Sequence, residues 1–343
     1  MSQISVLACS FEALTHILKG SGRAKYVWSH LRKGQSPWEN SLGQKQQKLF
    51  SDSFAPFGEQ ITSINLAECG TTKVTIQLFD KLEIETVLIP MNGRTTLCVS
   101  SQVGCARDCQ FCATGQMGLV RNLTSHEILF QVYTALNYIN QRTTHLPPLR
   151  NIVFMGMGEP LNNWKHVKKT IEQLTSPRTF AFGPKRITLS TVGPSTRHIY
   201  KLRELPVRFA WSLHAAKDTT RKQLIPTTKA TVGELTEAFS TVLKNKRDGL
   251  FIEVTLIDGI NDSQEDAREL VRCINRLPNE TRVNLIPVNP SENAHFKPPQ
   301  KDTIETFRAI LHSAGYFCSI RPSRGQNKTS ACGQLVTLRS SIN

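Results

Sequence analysis

Three cysteines in the first third of the chain carry the strongest chemical signal in the sequence. Cys105, Cys109 and Cys112 follow one another at C-x3-C-x2-C spacing. Three thiolates can hold three irons of a [4Fe–4S] cluster, and a fully protein-bound cluster takes four. The spacing therefore predicts one cluster with three cysteine ligands, whose fourth iron is open to a small molecule.

Zinc is the main competing metal for such a motif. Structural zinc sites close with four ligands and often use two C-x2-C pairs, whereas this sequence has no second close pair. The pattern therefore favours a cluster over zinc. Isolated cysteines are usually small buried apolar residues, and we expect that of Cys9, Cys69, Cys273 and Cys318.

A second motif follows a short apolar strand pattern. The stretch Gly156-Met-Gly158-Glu159-Pro160 has glycines that let the backbone approach a ligand closely. Glu159 could receive an ammonium group. Glycine-rich turns between a strand and a helix are common, so this motif alone is weak. Beside a cluster with an open iron, it fits the amino end of S-adenosylmethionine (SAM).

The elements that must position these residues can be read from the hydrophobic pattern. Residues 73–79 and 83–89 alternate with period two, and Asn92-Gly93 is a typical hairpin turn. From residue 95 onward, strand and helix patterns alternate through about six units, with capping boxes at Thr124 and Thr231. Such alternation predicts a parallel α/β sheet, with the chemistry at the carboxyl ends of its strands.

The chain is predicted to contain three parts. Residues 1–65 form a small, basic, mainly helical N-terminal accessory domain for RNA binding, residues 66–94 a β-extension, and residues 95–337 the catalytic core. Trp28 and Trp38, near basic residues, could stack on bases. The burial tendencies of aromatic residues favour a small core instead.

The amino-acid composition indicates which partners and which cellular compartment to expect. The 343 residues include 42 Lys plus Arg against 27 Asp plus Glu, a net charge of +15, which would attract a polyanion such as RNA. The odd number of cysteines and the metal-type spacing favour a reducing compartment. No apolar run reaches the ~18 residues of a membrane span, and no secretion signal is evident. We therefore expect a cytoplasmic protein without a membrane partner.

The sequence resembles the RlmN/Cfr family of radical-SAM RNA methyltransferases. The resemblance covers about residues 70 to 337 and is far more specific than the cysteine triad. It rests on five ordered motifs: Cys98–Gly115, Phe154–Pro160, Ser190–Gly193, Trp211–His214 and Ala331–Leu335. It implies a partial (β/α)6 barrel with the cluster at its mouth.

The resemblance also implies the cofactor contacts. Two SAM molecules would be used per turnover, and an external donor such as a flavodoxin-type system would supply electrons to a monomeric enzyme. Without the resemblance, His214 would be interpreted as a structural histidine and Asn289 as a turn residue. The residues implied to bind SAM are Gly158, Glu159, Ser190, Ser212, Leu213, His214 and Asn289.

The implied reaction methylates an adenine ring carbon through a protein-bound methyl group. Cys332 would carry the methyl group as S-methylcysteine, and a transient protein–RNA crosslink would follow. Cys98 would be the resolving thiol that forms a transient disulfide with Cys332, and Glu85 the proton acceptor. From the residues alone, Glu85 reads as a solvent-facing strand residue. Carbon C2 in 23S rRNA, and also in tRNA, is the favoured target.

One segment departs from the family pattern. The family's acidic Asp-x-Asp-Ala-Ala segment is replaced by the basic stretch 324–331, Arg-Gly-Gln-Asn-Lys-Thr-Ser-Ala. The departure favours, as alternatives, a diverged paralogue that methylates C8 or acts on another RNA. Two further alternatives are a radical-SAM enzyme in which Cys332 is merely structural, and a non-catalytic zinc or RNA-binding module.

Overall fold

The computed structural model describes residues 5–38, 43–141, 146–244, 246, 249–278, 280–289, 296–321 and 333–335. Its α-helices are α1 (Phe11–Ile17), α2 (Ser21–Leu31), α3 (Gln44–Ser53), α4 (Ala113–Gln116), α5 (Ser125–Asn140), α6 (Trp164–Thr175), α7 (Thr196–Lys201), α8 (Asp218–Leu224), α9 (Val232–Leu243), α10 (Gln264–Ile274) and α11 (Lys301–Ser313). Its strands are β1 (Gln60–Leu66), β2 (Thr72–Gln77), β3 (Glu83–Met91), β4 (Arg94–Cys98), β5 (Gln102–Gly104), β6 (Leu119–Asn122), β7 (Leu149–Phe154), β8 (Ile187–Thr191), β9 (Arg208–Ser212), β10 (Phe251–Leu256), β11 (Arg282–Pro287) and β12 (Phe317–Ile320).

One large sheet organises the fold, in the order β1-β2-β3-β4-β7-β8-β9-β10-β11-β12. Strands β1 to β4 pair antiparallel, and every pair from β4 to β12 is parallel. Strand β4 belongs to both halves, because Cys98 lies opposite Val87 of β3 and opposite Val153 of β7. The predicted parallel α/β core is confirmed: six parallel strands from β4 to β11 precede the last strand, β12.

Local sequence signals account for many of these elements. Strands β8 to β11 have buried interiors, as parallel strands covered on both faces require. Thr124 and Thr231 each form the capping box that the sequence predicts, at the start of α5 and α9. A third capping box joins Ser263 and Asp266 at α10. The sequence did not reveal it, because Asp takes the place of the usual Glu or Gln.

The N-terminal helices pack through aromatic residues. Trp28 is fully buried and meets the edge of Phe180, with the ring centroids 5.4 Å apart. Trp38 is half-buried and packs on Phe50 and Phe57 at 5.2 and 5.0 Å. Both tryptophans thus belong to the core, as their burial tendencies predict. The division of the chain at residues 65 and 94 remains a prediction.

Two smaller expectations have different outcomes. Cys9 and Cys318 are buried and Cys273 is half-buried, but Cys69 is exposed, in the turn between β1 and β2. The expectation of a buried Cys69 is therefore wrong. None of the helices in the described part of the chain is long and apolar enough to cross a membrane.

Candidate active site

A cavity of about 510 Å³ opens where the parallel strands end. Its volume lies in the range of small-molecule and cofactor sites. The carboxyl ends of parallel strands meet at one edge of a sheet, so residues far apart in sequence converge there. The predicted site residues that line it are Cys98, Cys105, Cys109, Cys112, Gly158, Glu159, Ser190, Ser212, His214 and Asn289.

The cysteine loop is shaped by the paired strands β5 and β6 and by the turn into α4. The Cys105 amide donates to Gly118 O at 3.0 Å, and the Cys112 amide donates to Cys109 O at 2.9 Å. Gly115 lies so close to this loop that a Cβ atom would stand 2.8 Å from the Cys109 amide nitrogen. The backbone therefore turns all three thiols toward the cavity.

The chemistry of this donor set fits a [4Fe–4S] cluster. Burial raises the pKa of Cys105 to about 12 and also raises the pKa of the Cys109 and Cys112 thiols. Thiolates in such surroundings need a compensating positive charge, which bound metal ions supply. Among the described residues, no three His, Cys, Asp or Glu side chains could share a single metal ion. A cluster does not require that, because each of its cysteines binds a different iron.

Glu159 is almost completely buried at the cavity wall. Its Oε1 accepts from the Leu161 amide at 3.0 Å, and its Oε2 from the Val192 amide at 2.9 Å. Its own amide donates to Gln102 Oε1 at 2.8 Å. Burial raises the pKa of Glu159, and these backbone donors oppose the rise. Since a carboxylate can accept about four hydrogen bonds, it keeps capacity for a cationic ligand group.

The glycine motif allows this close packing. Gly158 has φ +98°, a left-handed conformation that favours glycine. A Cβ atom at this position would stand 2.6 Å from the Cβ of Gln102. The backbone at Gly158 can therefore border the cavity, as the resemblance implies for a SAM contact.

Strands β8 and β9 place two hydroxyl groups side by side. Ser190 Oγ and Ser212 Oγ lie 3.1 Å apart at the ends of these strands. Asn289, two residues beyond β11, is buried and also lines the cavity. Leu213 differs from the other implied SAM contacts, because its side chain is fully buried in the main hydrophobic core. It is not among the cavity-lining residues.

His214 is held in a single protonation state. Its Nδ1 accepts from the Thr255 amide at 3.1 Å, so the ring proton is on Nε2. Burial, reinforced by the charge of Arg221, lowers the pKa of His214 to about 3. Its ring also contacts the Phe111 ring, with a centroid distance of 4.7 Å. His214 is therefore a neutral hydrogen-bond donor in the cavity wall at physiological pH.

Glu85 is buried, in contrast to the solvent-facing position that the residues alone suggest. The side chain of Glu85 is 4% exposed and that of Lys73 is 8% exposed, with Lys73 Nζ 2.6 Å from Glu85 Oε1. Successive residues of a strand point to opposite faces, so Glu85 shares a face with Val87, which lines the cavity. The ion pair therefore lies at the β3 side of the site, one strand away from Cys98.

Cys332 lies outside the described residues, as does the basic stretch 324–331. The residues that follow Cys332 are described. Gly333 lines the cavity, and its carbonyl accepts from the Ala113 amide at 2.8 Å. Thr114 Oγ1 donates to Leu335 O. The chain next to Cys332 is thus fixed to the residues that follow Cys112.

Several functional positions were not identified from the sequence. Ser100 Oγ donates to Glu85 O at 2.6 Å and accepts from the Met157 amide at 2.9 Å, which joins β3 to the glycine motif. Gln102 holds the Glu159 amide. The available signal was the run of three polar residues Ser100-Ser-Gln102, which begins two residues after β4 ends. Arg221, fully buried near the cavity, had no such signal.

Comparison with known proteins agrees with this geometry. Residues 99–271 match the Radical SAM superfamily model. The Dual-specificity RNA methyltransferase RlmN of Desulfotalea psychrophila (strain LSv54 / DSM 12343) is 42% identical over 303 residues, which cover 86% of this chain and 83% of that protein. The protein of the same name from Marinomonas sp. (strain MWYL1) is 35% identical, over 98% of this chain and 94% of that one.

A solved structure shows the same architecture. The crystal structure of a radical SAM methyltransferase from Sphaerobacter thermophilus superposes with a TM-score of 0.90 and 34% identity. The match covers 97% of this chain and 99% of that one. Membership of the radical SAM superfamily implies a 4Fe–4S cluster and SAM as cofactors. The chain therefore belongs to the RlmN family of radical-SAM RNA methyltransferases, and it is a SAM-dependent enzyme.

Proposed function

We propose that this enzyme methylates carbon C2 of an adenine in 23S rRNA, and also in tRNA, through a methyl group carried on Cys332. The observation that carries the proposal is the convergence on one cavity of the cysteine triad, Cys98 and Gly333, the neighbour of Cys332. An aromatic ring carbon is a poor nucleophile toward SAM. A methyl group anchored on sulfur and converted to a carbon radical can instead be held against the base.

Cys105, Cys109 and Cys112 would hold the cluster in this proposal. The cluster would supply the electron for the reductive cleavage of SAM. Glu159 receives the SAM ammonium group, since its carboxylate is fixed by two backbone amides and faces the cavity. The further SAM contacts are the Gly158 and Leu213 backbone, the hydroxyl pair Ser190 and Ser212, His214 and Asn289.

Cys332 and Cys98 then act as a thiol pair. Cys98 is fixed between β3 and β7 on one wall of the cavity. The Gly333–Ala113 hydrogen bond ties the segment that carries Cys332 to another wall. Attack of the Cys98 thiolate on the Cys332 sulfur would form a disulfide and break the carbon–sulfur bond of the crosslink. The released carbon would keep the bonding electron pair and take up a proton, which gives the methyl group of the product. A thiol reductant must afterwards restore both cysteines.

Glu85 is the proton acceptor for the adenine ring carbon in this proposal. Its position supports the role, because the buried Glu85 carboxylate lies on the same face of β3 as Val87, which lines the cavity. The net charge of +15 supports an RNA substrate, since it attracts a polyphosphate backbone. Electrons come from an external flavodoxin-type donor, and the enzyme works as a monomer. Residues 1–65 contribute to RNA binding.

Nucleoside mass spectrometry of rRNA and tRNA from wild-type and deletion cells tests the reaction. Loss of 2-methyladenosine is the expected result and would identify the RNA class. Loss of 8-methyladenosine would instead establish C8 as the target. Unchanged methyladenosine in both RNA classes would contradict the proposal.

The reconstituted protein tests the roles of the cysteines. Anaerobic reconstitution should give about four irons per chain, and zinc uptake without iron would contradict the cluster. Cys332→Ala should abolish methyl transfer and leave SAM cleavage intact. Cys98→Ser should instead accumulate protein–RNA crosslink, which denaturing gels detect. Unchanged methylation by Cys332→Ala would exclude the carrier role.

A further inference from the structure

Arg221, on α8, is a buried cation without a carboxylate partner. Among the described residues, two lysine or arginine side chains are buried, Lys73 and Arg221. Lys73 is paired with Glu85 at 2.6 Å. Arg221 is 0% exposed, and no carboxylate of the described chain lies within ion-pair distance of it. An isolated buried charge is costly, so a cation in this position requires another source of negative charge.

The hydrogen bonds of Arg221 are made to neutral acceptors. Its Nε donates to Leu213 O at 3.1 Å, its Nη1 donates to Thr228 Oγ1 at 2.6 Å, and its Nη2 donates to Val192 O. Leu213 and Val192 directly follow strands β9 and β8 at the cavity. Arg221 therefore fixes two loops of the site. These neutral groups satisfy its donors, but they carry no net charge to balance the guanidinium.

The same helix end contacts the cysteine loop. The Gln110 amide donates to Leu224 O at 3.0 Å. Leu224 and Ile225 pack with Cys109 and Phe111 in an apolar cluster. Arg221 is thus one helical turn from Leu224, which contacts Gln110, the residue after Cys109. Water is largely excluded from this wall, so charge interactions across it are weakly screened.

The guanidinium also contacts the wall that Cys109 lines. Its Nη2 donates to Val192 O, and Val192 packs against the apolar cluster that contains Cys109. Burial lowers the pKa of Arg221 to about 10. The guanidinium therefore remains charged at neutral pH. The charges that act on the guanidinium are, in order, those of Cys109, of the Asp218 carboxylate on the same helix and of Cys273, and the Asp218 carboxylate does not form an ion pair with it.

We propose that Arg221 is a positioning residue whose fixed positive charge favours the one-electron reduced state of the cluster bound through Cys109. The inference rests on the proposed ligation by Cys105, Cys109 and Cys112. Reduction by the external one-electron donor adds one negative charge to the cluster, and no bond forms or breaks in that step. A buried cation stabilises the more negative state more than the oxidised one.

The reduction potential of the reconstituted protein tests this inference. The measurement is a redox titration followed by electron paramagnetic resonance, without SAM or RNA. Arg221→Met should lower the reduction equilibrium constant about tenfold, which is about 59 mV more negative for one electron. Arg221→Lys keeps the charge and should stay near the wild-type potential. A purely structural role would instead affect both variants in the same way.

A second pair of variants leaves the guanidinium in place. Thr228→Asp puts a carboxylate beside Nη1 and should neutralise the charge, giving a more negative potential. Thr228→Asn has nearly the same shape without the charge, and it should match the wild type. This pair decides the question if Arg221→Met fails to fold or to take up iron.

The outcomes separate this inference from the proposed function. A loaded Arg221→Met protein with the wild-type potential would overturn the inference. Equal potentials for Thr228→Asp and Thr228→Asn would overturn it as well. Failure of the wild-type protein itself to bind about four irons would instead contradict the proposed cluster ligation.

Discussion

Lys73 and Glu85 form a buried ion pair across β2 and β3, with 2.6 Å between Nζ and Oε1. Removal of one partner from a buried pair leaves an uncompensated charge in a low dielectric, whereas replacement of both can be nearly neutral. The pair therefore stabilises the folded state only when both partners are present. This asymmetry leads to the first prediction.

Lys73→Met should lower the free energy of unfolding by about 3–5 kcal/mol, because it leaves the Glu85 carboxylate buried without its cation. The double variant Lys73→Met/Glu85→Gln should recover most of that loss. Urea denaturation measures both. The control is Arg178→Ala, which breaks the exposed pair with Glu12 and should cost less than about 1 kcal/mol. Equal losses in the single and double variants would contradict the prediction.

Gly158→Ala should both destabilise the protein and weaken SAM binding. The new Cβ would stand 2.6 Å from the Cβ of Gln102, at φ +98°. Overpacking of this kind typically costs about 1–3 kcal/mol. Thermal unfolding and calorimetric SAM titration of the reconstituted protein measure the two effects.

Gly259→Ala is the matched control for this substitution. Gly259 has φ +68°, but a Cβ there would meet nothing within 4 Å. The control isolates backbone strain, about 1–2 kcal/mol, from steric overlap. SAM affinity should therefore be unchanged in Gly259→Ala. Equal SAM affinities in the two variants would show that close packing at Gly158 is not needed for binding.

His214 should make the protein sensitive to mild acid. Its pKa is about 3 in the folded protein against 6.5 for an ordinary histidine, so between these values the unfolded chain binds more protons. Stability is then complete above about pH 6.5 and falls as the pH decreases. The loss from this residue should reach about 2 kcal/mol at pH 5.

Urea denaturation of the metal-free protein at pH 7 and pH 5 measures this loss without a contribution from the cluster. His214→Gln removes the titrating group and should reduce the pH dependence by that amount. The two proteins should therefore differ in slope with pH. An identical acid sensitivity in both would show that His214 remains able to bind a proton when folded.

Thr114→Val should slow methyl transfer more than SAM cleavage. The buried hydroxyl of Thr114 donates to Leu335 O, so its loss loosens the segment that follows Cys332. A lost hydrogen bond of this kind costs about 1 kcal/mol. Because the Thr114 hydroxyl also hydrogen-bonds to Cys112, 5′-deoxyadenosine formation should fall as well, but less than RNA methylation. Both products can be quantified in one chromatographic assay.

Thr170→Val is the control for Thr114→Val. Thr170 Oγ1 also donates to a backbone carbonyl, that of His166, at 2.8 Å within α6. This variant makes the same chemical change away from the described cavity, so its ratio of methylation to SAM cleavage should equal that of the wild type. A wild-type ratio in Thr114→Val would show that this contact does not serve methyl transfer.

The sequence predicts the elements whose signals are local. Capping boxes at Thr124 and Thr231 start α5 and α9 as expected. The alternation of strands and helices expected from residue 95 onward is also present in the fold. The cysteine spacing and the glycine motif identify residues that do line one cavity. These features depend on neighbours in the chain, and the sequence displays such neighbours directly.

Burial of charged residues could not be predicted in the same way. The alternation around Glu85 suggests a solvent-facing carboxylate, yet both faces of β3 are covered over most of its length. On α8, Arg221 is fully buried while the adjacent Lys222 is exposed. Residue type does not distinguish the two. Their burial depends on which distant loops pack against each side chain, and these tertiary contacts cannot be read from the local sequence.

Strand β4 joins an antiparallel meander to a parallel barrel, with neighbours on both sides. A chain shortened by removal of residues 60–91 would convert β4 into an open edge. An unprotected edge of this kind pairs readily with other chains. The shortened protein would also bring the Cys98 thiol toward solvent, where it could form intermolecular disulfides. The antiparallel strands therefore prevent self-association through the β4 edge, in addition to positioning Glu85. Without them, another segment would have to pair with β4.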